Sequence, residues 1–218
     1  MTRAATGLLV LAIVACGGPS ASPSPPVQAD AAAPVRLRGT LLAGADSALV
    51  FVACGTVTER AVMAPPSSQL LVAVAAVNGT VRDSLFVEFA ADTTGGSITA
   101  RETLFATSLS EGTRCDRPRE PFEVVAVGNE PFWRVTFDGT QMVLERPEPP
   151  REMVFDADPA DTRGALTTII GRRTLGKVHE LKLGLLRDSC SDGMSDAWYP
   201  YRAEVRVGDL ALHGCARR

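Results

Sequence analysis

The chain has 218 residues, 45% of them hydrophobic and 22% charged. That balance excludes a wholly disordered, collagen-like or coiled-coil protein and leaves apolar material for one or two folded cores. The 22 basic residues, all arginine apart from Lys177 and Lys182, are scattered among 25 acidic ones, so no basic stripe points to a nucleic-acid partner.

Arg3 precedes an uncharged stretch that lasts until Asp30. Within it, Gly7 to Ala15 reads GLLVLAIVA, which is too short to span a bilayer of roughly 30 Å. A positive start before an apolar run of this length is the pattern of a secretory signal, here residues 1–15. The run ends in Ile13-Val14-Ala15-Cys16, which resembles the bacterial lipobox. That resemblance implies cleavage before Cys16 and lipidation of its thiol, hence a membrane partner through the lipid. Each acyl chain contributes roughly 0.8 kcal/mol per buried methylene, and two or three chains hold firmly. Gly17 follows the cysteine and, in a Gram-negative host, leans towards the outer membrane rather than the inner. The alternative is an ordinary signal with an incidental cysteine. Residues 17–34 are Gly/Pro/Ser/Ala-rich and carry no apolar period, so 16–34 reads as an anchor and its tether.

From Val35 on, short alternating or apolar runs are separated by turn residues. They predict strands over 35–42, 48–54, 84–90, 98–107, 122–127, 132–138, 141–146, 151–156, 165–170, 177–186, 201–207 and 209–215. Phe132 to Phe137, then Asp138-Gly139, then Met142-Val143-Leu144 is a hairpin signal. Arg202 to Val207 followed by Gly208-Asp209 is another, with Arg202, Glu204 and Arg206 alternating against Ala203, Val205 and Val207. Ser67 to Val77 differs: it is Ala/Leu-rich, follows Pro65-Pro66 and reads as a short helix, although its valines would suit a strand. The sequon Asn78-Gly79-Thr80 reads as chance. Arg117-Pro118-Arg119-Glu120-Pro121 interrupts any ladder. The expectation is a mainly β protein of two small antiparallel barrel or sandwich-like units, 35–118 and 122–218, with one short helix in the first.

With Cys16 lipidated, Cys54, Cys115, Cys190 and Cys215 remain, an even set that implies disulfides in an exported protein. Each unit holds two, so the expected pairs are Cys54–Cys115 and Cys190–Cys215. In the chain-entropy model, loops of about 60 and 25 residues correspond to about 4.3 and 3.5 kcal/mol. No CxxC or HxxxH spacing supports the rival metal site.

The second half carries Gly128-Asn129-Glu130-Pro131-Phe132-Trp133, then Cys190-Ser191-Asp192-Gly193-Met194-Ser195-Asp196, then Tyr199-Pro200-Tyr201 and His213-Gly214-Cys215-Ala216. Over about 122–216 it resembles a family of uncharacterised bacterial envelope proteins with these four motifs in this order. The resemblance implies an envelope lipoprotein. The first half, through Arg38-Gly39-Thr40, Phe51-Val52-Ala53-Cys54-Gly55 and Leu85-Phe86-Val87-Glu88, is similar in arrangement to copper-homeostasis and envelope-stress lipoproteins, but their CxxC motif is missing here.

The candidate binding surface is Glu130, Phe132, Trp133, Asp192, Asp196, Tyr199 and Tyr201, because aromatic side chains supply large rigid contact area. The competing reading makes Phe132 or Trp133 a plug at one end of a barrel. Strand alternation forbids both from pointing inward. Asp188, Asp192 and Asp196 suggest a cation loop, yet the calcium-loop positions for an oxygen ligand and a bidentate Glu hold Cys190 and Tyr199. A tight loop built by Asp and Ser side chains beside the disulfide fits better. Ser191 or Ser195 with Asp192 and His213 is the nearest approach to a catalytic triad, and no nucleophile elbow is present. The expected function is therefore a non-catalytic binding or envelope-maintenance module, without cofactor or metal, facing the periplasm or the cell surface. Its partner is an envelope protein. Two alternatives stand beside it: a carrier of a small apolar ligand in a barrel cavity, and a hydrolase.

Overall fold

The computed structural model describes residues 33–43, 48–78, 84–94, 96–109, 114–116 and 119–218. The signal segment, Cys16, most of the tether and Gly79-Thr80 of the sequon lie outside the described residues. Ala32–Arg218 make up one unit.

The period-two pattern of the first half folds into β1 (Val35–Ala43), β2 (Leu49–Ala53), β3 (Glu59–Met63), β4 (Leu85–Thr94) and β5 (Ser97–Ser108), with helix α1 (Leu70–Asn78) between β3 and β4. β1 pairs antiparallel with β2 and β4, β2 with β3, and β4 with β5. A parallel pairing of β3 with β5 at Val62↔Ile98 and Met63↔Thr99 closes the ring. This is a five-stranded Greek-key barrel of the OB-fold type. Its core is built on Phe51 and Phe89, which meet edge to face at 5.1 Å, and on Leu70, Ala73 and Val74 of α1. Those three positions share one helical face.

The helix begins at Leu70 rather than Ser67 for a local reason. Pro66–Ser68 form a 3-10 turn, Gln69 takes a left-handed φ of 58°, and the Leu70 N–H donates to the Ser68 hydroxyl at 3.3 Å. β3 was not expected from the sequence. Its Glu-Arg-Ala-Val-Met run buries only Val62, so it carries no alternating signal.

The second half contains β6 (Val124–Asn129), β7 (Phe132–Phe137), β8 (Gln141–Glu145), β9 (Glu152–Ala157), β10 (Asp161–Arg163), β11 (Leu166–Arg172), β12 (Glu180–Ser191), β13 (Ala197–Val207) and β14 (Leu210–Arg217). Neighbouring strands pair antiparallel in a meander. β14 pairs with β6, and β9 pairs with β11 at Gly171↔Ala157 and Arg172↔Asp156. The eight strands other than β10 thus form a closed barrel, and β10, unexpected from the sequence, folds back only on β11. The interior is filled by Trp133, Phe137, Met142, Phe155, Leu183, Tyr201 and their neighbours. Both expected disulfides form, Cys54–Cys115 and Cys190–Cys215.

β13 ties the two barrels. It starts at Ala197, four residues before the expected strand, and Ala197 to Tyr201 are buried without alternation. Ala197↔Thr107 and Trp198↔Ala106 join it to β5. The Trp198 indole lies in the first barrel's core and donates to Ser189 Oγ, whereas Val205 and Val207 serve the second. Pro200 falls where the β12–β13 register shifts between Arg187 and Cys190, a place where a missing N–H costs no ladder bond. A third apolar cluster gathers Phe86, Phe105 and Tyr199 with all four paired cysteines.

Beside that cluster, Glu88 is buried on β4 and faces Arg36 at 3.2 Å, Arg38 at 3.9 Å and Arg217 at 3.5 Å. Arg217 continues to Glu120 at 2.7 Å, Glu120 to Arg134 at 2.6 Å, and Arg134 to Glu145 at 3.1 Å. This chain of charges runs from β1 and β4 across the proline-rich connector to β7 and β8. Burial pulls the Arg36 guanidinium below its ordinary value, while Glu88 works in the opposite direction.

Candidate functional site

The motif 128–133 forms the β6–β7 corner. Gly128 lies opposite Trp133 and Asn129 opposite Phe132. Alternation separates the two aromatics: Trp133 is 4% exposed inside the barrel, and Phe132 is 55% exposed outside it. Trp133 fits because two facing positions lack side chains. A Cβ on Gly128 would lie 2.1 Å from Trp133 Nε1, and one on Gly214 would lie 2.9 Å from Trp133 Cζ2 and 1.9 Å from the Val127 carbonyl oxygen. The two motif glycines are therefore the seat of the indole.

The second motif, Cys190 to Asp196, is a tight loop organised by one carboxylate. Asp192 Oδ1 accepts the N–H groups of Met194 at 3.1 Å and Ser195 at 2.8 Å, and Oδ2 accepts the Ser195 hydroxyl at 2.7 Å. This is the local side-chain-to-backbone arrangement expected of Asp and Ser in such a loop. Asn129 Nδ2 donates to the Asp192 backbone oxygen at 3.0 Å, so the loop is bonded to the corner. The Cys190–Cys215 bridge fixes the loop's base to β14. Between corner and loop lies a cleft of about 470 Å³, lined by Glu130, Asp192, Met194, His213 and their neighbours. Met194 and Phe132 are the large apolar side chains left exposed here.

The structure brings Glu130, Phe132 and Asp192 to this one region. It places Tyr199 and Tyr201 elsewhere, 9% and 7% exposed. The Tyr199 ring packs on Phe105 at 5.3 Å. The Tyr201 hydroxyl donates to Glu102 at 3.3 Å, and burial first, then the Glu102 charge, raises its pKa. Trp133, Tyr199 and Tyr201 are supports beneath the surface. Asp196 accepts the Ser108 hydroxyl at 3.4 Å, and Asp188 pairs with Arg202 at 2.9 Å. The three loop aspartates thus have separate partners, and among the described residues no group of three His, Cys, Asp or Glu is placed to hold a metal ion.

Ser191, Asp192 and His213 do line one cleft. Their bonds run in the wrong order for a triad: Asp192 binds Ser195 and backbone N–H groups, and Ser191 Oγ accepts the Gly193 N–H at 3.4 Å. His179 lies apart, its Nδ1 3.3 Å from the Arg173 carbonyl oxygen.

A larger cleft, about 540 Å³, lies between the same corner and the β8–β9 turn. Its walls include Phe132, Trp133 and Arg134 on one side and Glu145, Arg146, Arg151 and Glu152 on the other. Sequence reasoning missed Arg146 and Arg151, which end one expected strand and begin the next on either side of Pro147-Glu148-Pro149-Pro150. The available signal was the hairpin ladder itself. Glu145 faces Glu152, and one step further the Arg146 N–H donates to the Arg151 carbonyl at 2.9 Å, which brings both guanidinium-bearing residues to the barrel's end.

Compared with known proteins, the chain matches no family model, no curated protein and no solved structure.

Proposed function

We propose that this chain is an exported, lipid-anchored and non-catalytic binding module of the bacterial cell envelope, which captures an envelope partner through the 128–133 corner and the 191–194 loop. The observation that carries the reading is the rigid presentation of Phe132. This large aromatic stays exposed while Trp133 beneath it is seated on two glycines and the adjoining loop is held by a disulfide and the Asn129–Asp192 bond. A fixed aromatic loses little side-chain freedom on binding, which favours its use as an anchor.

Two disulfides support an oxidising compartment, and the lipobox-like end at Cys16 supports the anchor. The filled interior of the second barrel weighs against an internal carrier of apolar ligands. The Asp192 bonding pattern weighs against a hydrolase.

A photo-crosslinking residue at Phe132 in intact cells tests the surface, and palmitate labelling tests the anchor. The expected result is a discrete crosslinked species from position 132, none from Leu71, exposed on α1 of the first barrel and used as the control, and label lost in Cys16→Ala. Equal, diffuse crosslinking from both positions would overturn the contact surface. Unlabelled wild-type chain would overturn the anchor.

A further inference from the structure

The charges of the larger cleft do not balance internally. Arg134 is held by Glu120 at 2.6 Å and Glu145 at 3.1 Å. Arg146 donates from Nη2 to the Pro149 carbonyl at 3.2 Å, but its Nε is buried and has no hydrogen-bond partner among the described residues. Arg151 is exposed at the rim and forms no ion pair among the described residues. Trp133, which also lines the cleft and is 4% exposed, has its Nε1–H buried at Gly128 with no acceptor among the described residues. Against the two arginines without carboxylates stands one exposed glutamate, Glu152, at the rim. Phe132 supplies the apolar part of the lining.

Buried donors without acceptors are costly, and a ligand that brings acceptor oxygens removes that cost. Guanidinium groups favour planar carboxylates, which they bind through two parallel hydrogen bonds. We infer that this cleft takes a carboxylate ligand carrying an apolar group next to the carboxylate, with the anion on Arg146 and Arg151 and the apolar group on Phe132. Either the C-terminus of a polypeptide with an apolar last residue or a small carboxylic acid has this chemistry. The inference rests on the corner being a contact surface.

The test titrates the mature chain, disulfides intact, with N-acetyl-phenylalanine, with its uncharged amide, and with an acetylated tetrapeptide ending in the same free carboxylate. Binding is read from NMR shifts. A hydrogen bond to a charged group contributes about 1.5–3 kcal/mol, so the acid is expected to bind roughly tenfold or more tightly than the amide. Arg151→Gln, at an exposed position that leaves the fold intact, is expected to remove most of that preference, and Arg146→Gln to do the same. A tetrapeptide tighter than the single residue assigns the ligand to a polypeptide terminus, and equal affinity assigns a small acid. Equal binding of acid and amide, no saturable binding of any probe at millimolar concentration, or an undiminished acid preference in Arg151→Gln overturns the inference. A discrete crosslink at Phe132 in the wild-type chain, together with equal binding of acid and amide by that same chain, would leave the contact surface standing and remove only the carboxylate assignment.

Discussion

Gly128→Ala tests the seat of the Trp133 indole. The added methyl would stand 2.1 Å from Nε1, 2.5 Å from Cε2 and 2.7 Å from the His213 carbonyl oxygen. The indole has little room to retreat, since its Cζ2 already lies against Gly214 and the ring is 4% exposed. Overpacking of this kind costs about 1–3 kcal/mol. Trp133→Ala alone should cost about 3–5 kcal/mol through lost burial and the cavity left behind. In the double variant the methyl enters space the indole has vacated, so the two costs should fail to add by about 1 kcal/mol or more. The residual contact with the His213 oxygen keeps the coupling below the full overpacking cost. Equilibrium urea unfolding with the disulfides intact measures all three variants. Additive costs, or a Gly128→Ala variant within about 0.5 kcal/mol of wild type, would refute the assignment of Gly128 to the indole's seat.

The other expectations concern the junction, one hairpin and the bridges. Glu88→Gln leaves Arg36 and Arg217 facing each other without their shared carboxylate, and should cost near the lower end of the roughly 3–5 kcal/mol seen for broken buried pairs, because these arginines are partly exposed. Urea unfolding measures it, and a neutral substitution would contradict the role given to Glu88. Asp138 accepts the Gln141 N–H, then the Thr140 N–H and hydroxyl, which hold its carboxyl below the usual range. Its contribution is present above the unfolded value of about 3.9 and is lost as pH falls through the lower folded value. The stability curves of wild type and Asp138→Ala should therefore converge below about pH 4, and curves that stay parallel in acid would remove this account. Replacing Cys190 and Cys215 together by Ala should cost about 3.5 kcal/mol and replacing Cys54 and Cys115 about 4.3 kcal/mol, the longer loop losing more. The reverse order in urea midpoints would argue against loop closure as the dominant effect.

Local chemistry made much of this fold legible. Asp138-Gly139 and Gly208-Asp209 marked hairpins because positive-φ glycines fit such turns, and the glycines take φ values of 100° and 58°. The disulfide pairing followed from two cysteines per half. That Phe132 and Trp133 could not both point inward followed from strand alternation, but which of the two does so came only from the structure. What stayed hidden depends on distant partners. β3 buries one residue of five, so its identity as a strand comes from β2 and β5 on either side. Ala197 to Tyr201 are covered on both faces by two barrels, which erases the period. The two motifs of the contact region were visible separately, but their union depends on the Asn129–Asp192 bond between residues 63 positions apart. Arg146 and Arg151 stood at the facing ends of two expected strands, on either side of the prolines that shape the turn bringing the pair together.

The shared strand sets an order on how this molecule can be made. Trp198 completes the core of a barrel whose other strands end at Ser108, ninety positions earlier in the chain. Until that late segment has been synthesised and delivered, the early barrel has a hole where an indole belongs and bare phenylalanines along one flank. Nearly the entire polypeptide must therefore be in place before its first half can mature. A fragment cut at the proline-rich connector would retain that unfinished state for as long as it survives.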